Sequence, residues 1–250
     1  MRNKHPRESP PAADRTSRPG SIVPGSAAPS RDCALCPRLA AFREEQRNAH
    51  PAWFNAPVPP FGDDRAELLI VGLAPGLRGA NRTGRPFTGD YAGVLLYGAL
   101  RKFGFAEGVY DARPDDGLEL RRARITNAVR CAPPENTPKP SEIATCRRFL
   151  TAEIAGMPRL HVILALGVIA HHTVLAALHL RRRLFPFAHG RLHAFPSGCC
   201  LPTAIIALAS TSRPESSACD VRIGICHSHP VPRRLCAEPS GASLSHAGIT

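Results

Sequence analysis

The sequence contains very little lysine and no long apolar run. Only three of its 32 basic residues are lysines, so arginine supplies nearly all of the formal net charge of +12. No segment approaches the ~20 consecutive apolar residues that cross a bilayer, which argues against a membrane-spanning helix. The N-terminus is charged but has no apolar stretch behind it, which argues against a secretory signal and predicts a cytoplasmic protein.

The sequence also lacks the export signal that accompanies most disulfide-rich proteins. Its nine cysteines are therefore expected to be metal ligands or free thiols. The basic balance, with a pI near 9.9, favours a polyanionic partner, and nucleic acid is the usual one. Because arginine-rich composition also accompanies GC-rich genomes, the charge alone carries little weight.

Composition divides the 250 residues into three parts. Residues 1–30 are rich in Pro, Ser, Arg and Ala without periodicity, which predicts a disordered basic arm. Residues 31–201 alternate strand-like runs with helical patterns, which predicts an α/β domain with three layers, helices covering both faces of a central parallel sheet. Residues 202–250 crowd Ser, Pro, Cys and His without a sustained period, which predicts an irregular tail.

Local patterns within the domain predict individual elements. Apolar runs predict strands at Leu68–Gly72, Arg124–Val129 and Leu160–Leu166, with an edge strand and turn within Phe185–Gly198. Helical spacing predicts helices after Cys36 towards His50 and at Val94–Phe103, Ser141–Leu150 and Gly167–Leu180.

The segment Leu68–Gly93 reads LLIVGLAPGLRGANRTGRPFTGDYAG and carries the most informative pattern. Its strand opens into a long Gly- and Pro-rich loop, and open α/β sheets bind ligands at the carboxyl ends of their strands. The loop suits a flat base attached to a phosphate backbone, because it offers two arginines, an aromatic ring and a single carboxylate: Arg82, Arg85, Phe87 and Asp90. An ordinary surface loop is the alternative, although loops this long are usually functional.

Four cysteines have the spacing of a metal site. Cys33 and Cys36 form a Cys-x-x-Cys pair, while Cys131 and Cys146 are separated by a proline-rich loop and the start of a helix. Four thiolates can bind zinc or an iron–sulfur cluster, and the residues alone do not choose between them. Scattered free thiols are the remaining alternative.

The stretch GLAPGLRGANRTGRPFTGD resembles the first motif of the type-5 uracil-DNA glycosylases, an iron–sulfur branch of the uracil-DNA glycosylase superfamily. The resemblance extends over roughly Cys33–Leu201. It implies a uracil-DNA glycosylase-like fold and a monomeric, nucleoid-associated repair enzyme that removes uracil, with other deaminated bases as further substrates, from DNA. It also implies a [4Fe–4S] cluster, rather than zinc, on Cys33, Cys36, Cys131 and Cys146.

The chemistry of base removal suggests roles for the loop residues. A flipped base must be held by its polar edge and by an aromatic face, and the attacking water needs a carboxylate. Asp90 is therefore the expected catalytic residue, and capping of the following helix is its alternative or additional role. Phe87 is expected to stack on the base unless it is a core aromatic. Backbone groups near Gly72 and Ala74 are expected to bind the carbonyls of the base.

Two asparagines complete the expected site. The resemblance gives Asn136, in the sequence CAPPEN, a supporting role in positioning the base or the water. Asn127 stands at the end of a predicted strand and can serve the same purpose.

The third motif of the family, His-Cys-Ser-Arg-x-Asn-x-x-Thr-Gly, is missing from this sequence. The preceding AHGRLHAFPSG still resembles the family. If the codons of Pro202–Glu215 are read from the last base of the proline codon, with wobble bases chosen freely, they can encode Asp-Ser-Tyr-His-Cys-Ser-Arg-Leu-Asn-Ile-Ala-Thr-Gly. We therefore expect the chain to be out of frame from about Pro202, and its activity as written to be weak or absent.

Two alternative functions follow from these observations. The chain can be a catalytically impaired iron–sulfur remnant that binds DNA without releasing a base. It can also be a zinc-stapled protein without a role on DNA, which would show no iron and no salt-dependent affinity for DNA.

Overall fold

A six-stranded sheet forms the centre of the fold in the computed structural model, which describes residues 28–194 and the strand at residues 204–208. The strands are β1 Phe61–Gly62, β2 Leu68–Gly72, β3 Ala106–Glu107, β4 Glu119–Leu120, β5 Ala123–Asn127, β6 Val162–Leu166, β7 Arg191–Ala194 and β8 Ala204–Leu208. The helices are α1 Pro37–Ala49, α2 Ala80–Thr83, α3 Tyr91–Lys102, α4 Pro140–Ala155 and α5 Val168–Ala177, with 3-10 turns at Pro134–Asn136 and Arg182–Leu184.

The sheet is mainly parallel, and its strand order is β1-β5-β2-β6-β8-β7. β5, β2, β6 and β8 run parallel, whereas the edge strands β1 and β7 are antiparallel to their neighbours. β3 and β4 form a separate hairpin. Because parallel strands point the same way, the ends of β2 and β5 meet at one edge, where Gly72 pairs with Asn127.

Side chains that alternate along β2 enter two different apolar clusters. Leu69 and Val71 pack with residues of α4 and α5, while Leu68 and Ile70 pack with residues of α3. Helices therefore cover both faces of the sheet, which confirms the predicted three-layer α/β/α arrangement. A third cluster joins α1 to α4 through Leu39 and Phe149. None of the described helices combines the length and the apolar character that a membrane span needs.

Among the differences from the sequence prediction, two concern α3 and the tail. Helix α3 begins at Tyr91 rather than Val94, because Asp90 caps it three residues earlier than the apolar spacing indicates. The sequence predicts an irregular tail from residue 202, yet Ala204–Leu208 forms β8 between β6 and β7. The run AIIAL is apolar enough for a central strand, but its two partner strands belong to other parts of the chain.

Several sequence predictions concern residues outside the described ranges. The basic arm falls there except for residues 28–30, and so does the tail except for β8. The disorder of the arm and the frame of the tail stay predictions.

Candidate active site and cysteine pocket

Three of the predicted site residues meet at the carboxyl edge of the sheet. A Cβ atom added to Gly72, at the end of β2, would lie 2.5 Å from Asn127 Oδ1 and 2.6 Å from Phe87 Cζ. Asn127 ends the neighbouring strand and is buried, while Phe87 returns from the loop and is half-buried. The amide and the aromatic ring therefore converge on a backbone position that has room only for glycine.

The conformation of Phe87 is fixed by contacts on both sides. Its φ of 55° lies in the left-handed region, which is rare for an aromatic residue and needs support from the surroundings. Tyr110 donates its hydroxyl hydrogen to the Phe87 carbonyl at 3.0 Å, and Tyr97 does the same to the Pro86 carbonyl at 2.7 Å. A Cβ on Gly93 would approach the Phe87 carbonyl oxygen to 1.9 Å, so α3 packs directly against this turn.

Asp90 caps α3 and still presents an oxygen to the loop. Its Oδ1 accepts the Gly93 N–H at 2.8 Å, as an N-cap residue does. Its Oδ2 faces the turn made by Gly76 and Gly79, where an added Cβ would lie 3.9 Å away in each case. The side chain is exposed, so this second oxygen is accessible to water. The predicted capping role is confirmed, and it leaves one carboxylate oxygen for chemistry.

Backbone groups after β2 are partly engaged. The carbonyls of Gly72 and Leu73 accept the N–H groups of Ala128 and Val129 at 2.9 and 3.0 Å. Within residues 28–194, the N–H of Ala74 donates to no protein acceptor. Ala74 is half-buried and packs against the cluster that contains the cysteines. Among the described residues, this backbone amide is therefore a donor without a protein acceptor next to the end of β2.

Arg85 is buried and paired with a carboxylate, so it is not free to contact phosphate, contrary to the prediction for the two loop arginines. It is only 4% exposed and forms a bidentate ion pair with Asp116, with N–O distances of 2.8 and 2.6 Å. Its guanidinium also lies 5.4 Å from the ring centroid of Tyr97 and 5.7 Å from that of Tyr110. The sequence analysis missed these partners, since they belong to a different helix and to a connection without periodicity. Arg82 is exposed on α2 and remains available.

Asn136 lies apart from the contacts around Gly72. It is exposed on the 3-10 turn Pro134–Asn136 with a φ of 54°. The three atoms nearest to a Cβ on Gly72 belong to Phe87 and Asn127. The supporting role of Asn136 is therefore a prediction that these contacts do not test.

The four predicted cysteine ligands line one pocket. Cys33 and Cys36 come from the start of α1, Cys131 from the loop after β5, and Cys146 from α4, and all four are free thiols. The remaining walls include Leu35, Leu39, Val129 and Phe149. The fold thus brings together two pairs that are about a hundred residues apart in the sequence.

Burial strongly disfavours the charged form of these thiols. It raises the pKa of Cys36 to about 11 and that of Cys131 to about 12, and it also raises the pKa of Cys146. Neighbouring thiols add to the effect. Two donors act in the opposite direction, because the Arg130 N–H lies 3.3 Å from Cys146 Sγ and Arg43 Nη1 lies 3.8 Å from Cys131 Sγ. Thiolates in this pocket therefore need a bound positive group to stabilise them.

Comparison with known proteins identifies the family. The Uracil DNA glycosylase superfamily matches residues 59–217, which is more than half of the chain, so the chain belongs to that superfamily. The matched region contains the Gly72–Phe87–Asn127 contact and Asp90. It also extends past residue 201, where the predicted domain ends.

Relatives within the superfamily confirm the resemblance to the type-5 branch. The chain is 45% identical to a type-5 uracil-DNA glycosylase of Thermus thermophilus, over 66% of this chain and 78% of the relative. It is 41% identical to a type-5 enzyme of Pyrobaculum aerophilum, over 59% of this chain and 66% of the relative. A type-4 uracil-DNA glycosylase of Saccharolobus solfataricus is 35% identical, over 55% of this chain and 51% of the relative.

Proposed function

We propose that the chain hydrolyses the N-glycosidic bond of uracil in DNA and thereby initiates base excision repair. The observation that carries this proposal is the convergence of Phe87 and Asn127 on Gly72, since Phe87 stands three residues before Asp90 in the same loop. Other deaminated bases are proposed as further substrates. The names of the type-5 relatives support the same reaction.

The geometry suggests how a flipped base is held. The Phe87 ring stacks on the base, and the Asn127 amide offers one acceptor and two donor hydrogens to its polar edge. The Ala74 N–H donates to a base carbonyl. The exposed Arg82 contacts the phosphate backbone, and the high arginine content supports DNA binding in general.

The carboxylate of Asp90 has two roles, one towards the attacking water and one towards the positive charge on the sugar. Its Oδ2 orients the attacking water and stabilises the positive charge that develops on the sugar, while its Oδ1 stays bound to Gly93. The backbone bond of Oδ1 fixes the carboxylate, so the second oxygen has a defined direction.

The test is base release from a uracil-containing oligonucleotide by the chain with the third motif restored after Pro202, compared with the same protein carrying Asp90→Asn. Asparagine caps helices as well as aspartate does, so α3 and the thermal midpoint are expected to stay unchanged. We expect release to fall about 100-fold or more, because the carboxylate is lost. Equal release by both proteins would exclude the proposed role of Asp90.

We further propose that Cys33, Cys36, Cys131 and Cys146 bind a [4Fe–4S] cluster. The four cysteines line a single pocket, and four thiolates can bind either zinc or an iron–sulfur cluster. The similarity of the chain to type-5 uracil-DNA glycosylases supports the cluster over zinc.

The cluster has a structural role in this proposal. When bound, it ties the start of α1 to the loop after β5 and to α4, and so supports the segment that carries Asn136. Iron analysis and absorbance near 400 nm of protein purified without oxygen provide the test. Zinc without iron would favour the alternative occupant.

A second candidate function is a DNA-binding remnant with impaired catalysis. The observation that favours it is the missing His-Cys-Ser-Arg motif in the sequence as written. Strong DNA binding without base release, retained in Asp90→Asn, would support the remnant. The coding DNA tests the proposed change of frame, since codons that cannot encode the motif after Pro202 would contradict it.

The proposed setting follows from the substrate. We place the protein in the cytoplasm at the nucleoid. We propose that it is a monomer and that its partner is DNA. Light scattering of the purified chain tests the monomer.

A further inference from the structure

Arg43 connects the two halves of the cysteine set. This residue lies on α1, is 8% exposed, and directs its guanidinium into the cysteine site. Its Nη1 is 3.8 Å from Cys131 Sγ and its Nη2 donates to the Cys33 carbonyl at 3.0 Å. One side chain therefore links residues that are far apart in the sequence and that the proposed cluster needs together.

The other arginines of α1 have different partners. Arg38 pairs with Glu142 at 2.8 Å, and Arg47 pairs with Asp32 at 2.7 Å and Glu44 at 3.3 Å. Among the described residues, Arg43 forms no ion pair with a carboxylate, and of its two hydrogen-bond partners there only Cys131 Sγ can carry negative charge. Of these three arginines of α1, Arg43 therefore contacts a sulfur atom, whereas Arg38 and Arg47 contact carboxylates.

The charge of Arg43 needs a counter-charge. A guanidinium stays protonated under all ordinary conditions, and a buried charge is costly unless a partner of opposite sign compensates it. A neutral thiol at Cys131 does not provide that partner, whereas a thiolate bound to an iron–sulfur cluster does. The buried arginine is therefore explained by a negatively charged sulfur in the functional protein.

We propose that Arg43 is a positioning residue for the iron–sulfur site, donating to Cys131 Sγ, slowing the loss of iron and raising the reduction potential of the cluster. Donors to cluster sulfurs are known to act in both ways, because they withdraw electron density from the ligand and hold its orientation. This inference rests on the proposed cluster. It assigns no redox step to base removal.

The experiment compares the purified holoprotein with Arg43→Met and the control Arg47→Met. Arg47 lies on the same helix and bonds to backbone and carboxylate oxygens, but contacts none of the cysteines that the structure describes. We expect a chelator to remove iron from Arg43→Met roughly tenfold faster than from the unmodified protein, followed by the loss of absorbance near 400 nm. The control should lose iron at the original rate.

Voltammetry separates an electronic effect from loosened packing. An electrode supplies one electron to the oxidised cluster, and the midpoint potential should move to more negative values in Arg43→Met. Arg43→Lys keeps the positive charge without the planar fork, so its midpoint should fall between the two. This variant also serves if Arg43→Met fails to fold.

Three outcomes contradict the inference. Unchanged iron loss and midpoint in Arg43→Met would make Arg43 a bystander. Equally fast loss in Arg47→Met would attribute the effect to destabilisation of α1. Absence of iron from the unmodified protein would overturn the proposed cluster together with this inference, whereas iron there and no effect of Arg43 would overturn only the latter.

Discussion

At the scale of single residues, Arg85 stabilises the loop that carries Phe87. Asp116 accepts from both of its terminal nitrogens and also from the N–H groups of Asp111 and Leu118 at 2.9 and 3.0 Å. Hydrogen bonding to Arg85 holds the pKa of Asp116 well below its usual range. The ion pair thus fixes the loop two residues before the aromatic ring.

The variant Asp116→Asn should be strongly destabilised. It leaves the buried Arg85 without a counter-charge, and breaking such a pair costs about 3–5 kcal/mol. Chemical denaturation followed by circular dichroism measures this loss. Asp111→Asn is the control, because its ion pair with Arg113 is exposed and contributes little. Similar losses in the two variants would show that Arg85 is not held by Asp116.

The pKa of Asp116 also predicts a dependence on pH. A carboxyl group whose pKa is lowered by folding stabilises the protein above its unfolded pKa of about 4. This stability should be lost as the pH falls below that value, and Asp116→Asn should lose less stability over the same range.

The lowered pKa of His171 predicts a second dependence of stability on pH, in a range above that of Asp116. Burial, with smaller contributions from His193 and His172, lowers its pKa from 6.5 to about 4. Between pH 6.5 and pH 4 the unfolded protein therefore binds more protons than the folded protein does. The stabilisation from the neutral imidazole is fully present above pH 6.5, and the free energy of unfolding falls by up to about 3 kcal/mol towards pH 4. The pKa values of His193 and His172 are lowered as well and add to the loss.

The test compares thermal midpoints at pH 7 and pH 4.5 for the unmodified chain and His171→Phe. The variant should show a smaller drop in midpoint, because it cannot take up the proton. An equal drop in both proteins would assign the pH dependence to other groups.

At the scale of elements, α3 holds both Asp90 and Phe87 in position. Its two glycines provide a matched pair of substitutions. A Cβ on Gly93 would collide with the Phe87 carbonyl at 1.9 Å, whereas a Cβ on Gly98 meets nothing within 4 Å.

The predicted effects of the two glycine substitutions are opposite. Gly98→Ala should stabilise the protein by about 0.5–1 kcal/mol, as alanine normally does in a helix. Gly93→Ala should destabilise it and reduce uracil release, because the Phe87 turn must move. Denaturation of both variants, and base-release assays on both made in the chain with the third motif restored, measure this. A Gly93→Ala variant with full stability and activity would contradict the packing described for α3.

The strands of the sheet and α3 show which elements the sequence predicts and which it does not. The strands β2, β5 and β6 are recognisable as apolar runs, because buried parallel strands are apolar on both faces. The start of α3 was placed too late, since capping by Asp90 extends the helix beyond its apolar spacing. β8 was missed because a five-residue run becomes a strand only through pairing with β6 and β7.

For the candidate site, the sequence predicts residue types better than contacts. Gly72, Phe87 and Asn127 lie together because strand ends and loops meet at one edge of the sheet, while their role in binding a base stays a prediction. The spacing of the cysteines predicts a shared site but not its neighbour Arg43, whose contact with Cys131 depends on how α1 packs. Arg85 was misassigned because burial is not visible in a charged residue.

At the scale of the whole molecule, β5 connects the two candidate sites. Asn127 ends this strand at the base pocket, and Cys131 follows four residues later in the cysteine pocket. Between them, Val129 donates to the Leu73 carbonyl and lines the cysteine pocket. Support of the loop by a bound cluster can therefore reach the base pocket through backbone contacts.

The proposed change of frame falls at about residue 202, between β7 and β8. The proposed pocket and its supports lie before this position, whereas the missing motif belongs after it. The account therefore predicts that the pocket is intact and that the tail limits catalysis.

The most direct measurement is uracil release by three proteins: the chain as written, a version in which Thr203–Glu215 is replaced by Asp-Ser-Tyr-His-Cys-Ser-Arg-Leu-Asn-Ile-Ala-Thr-Gly, and that version with Asp90→Asn. We predict weak or no release by the first, release by the second, and loss of about 100-fold or more in the third. Release by the first protein as well would show that the motif is dispensable while supporting the pocket. No release by any of them, with iron bound and the fold intact, would contradict the assignment of this pocket to uracil excision.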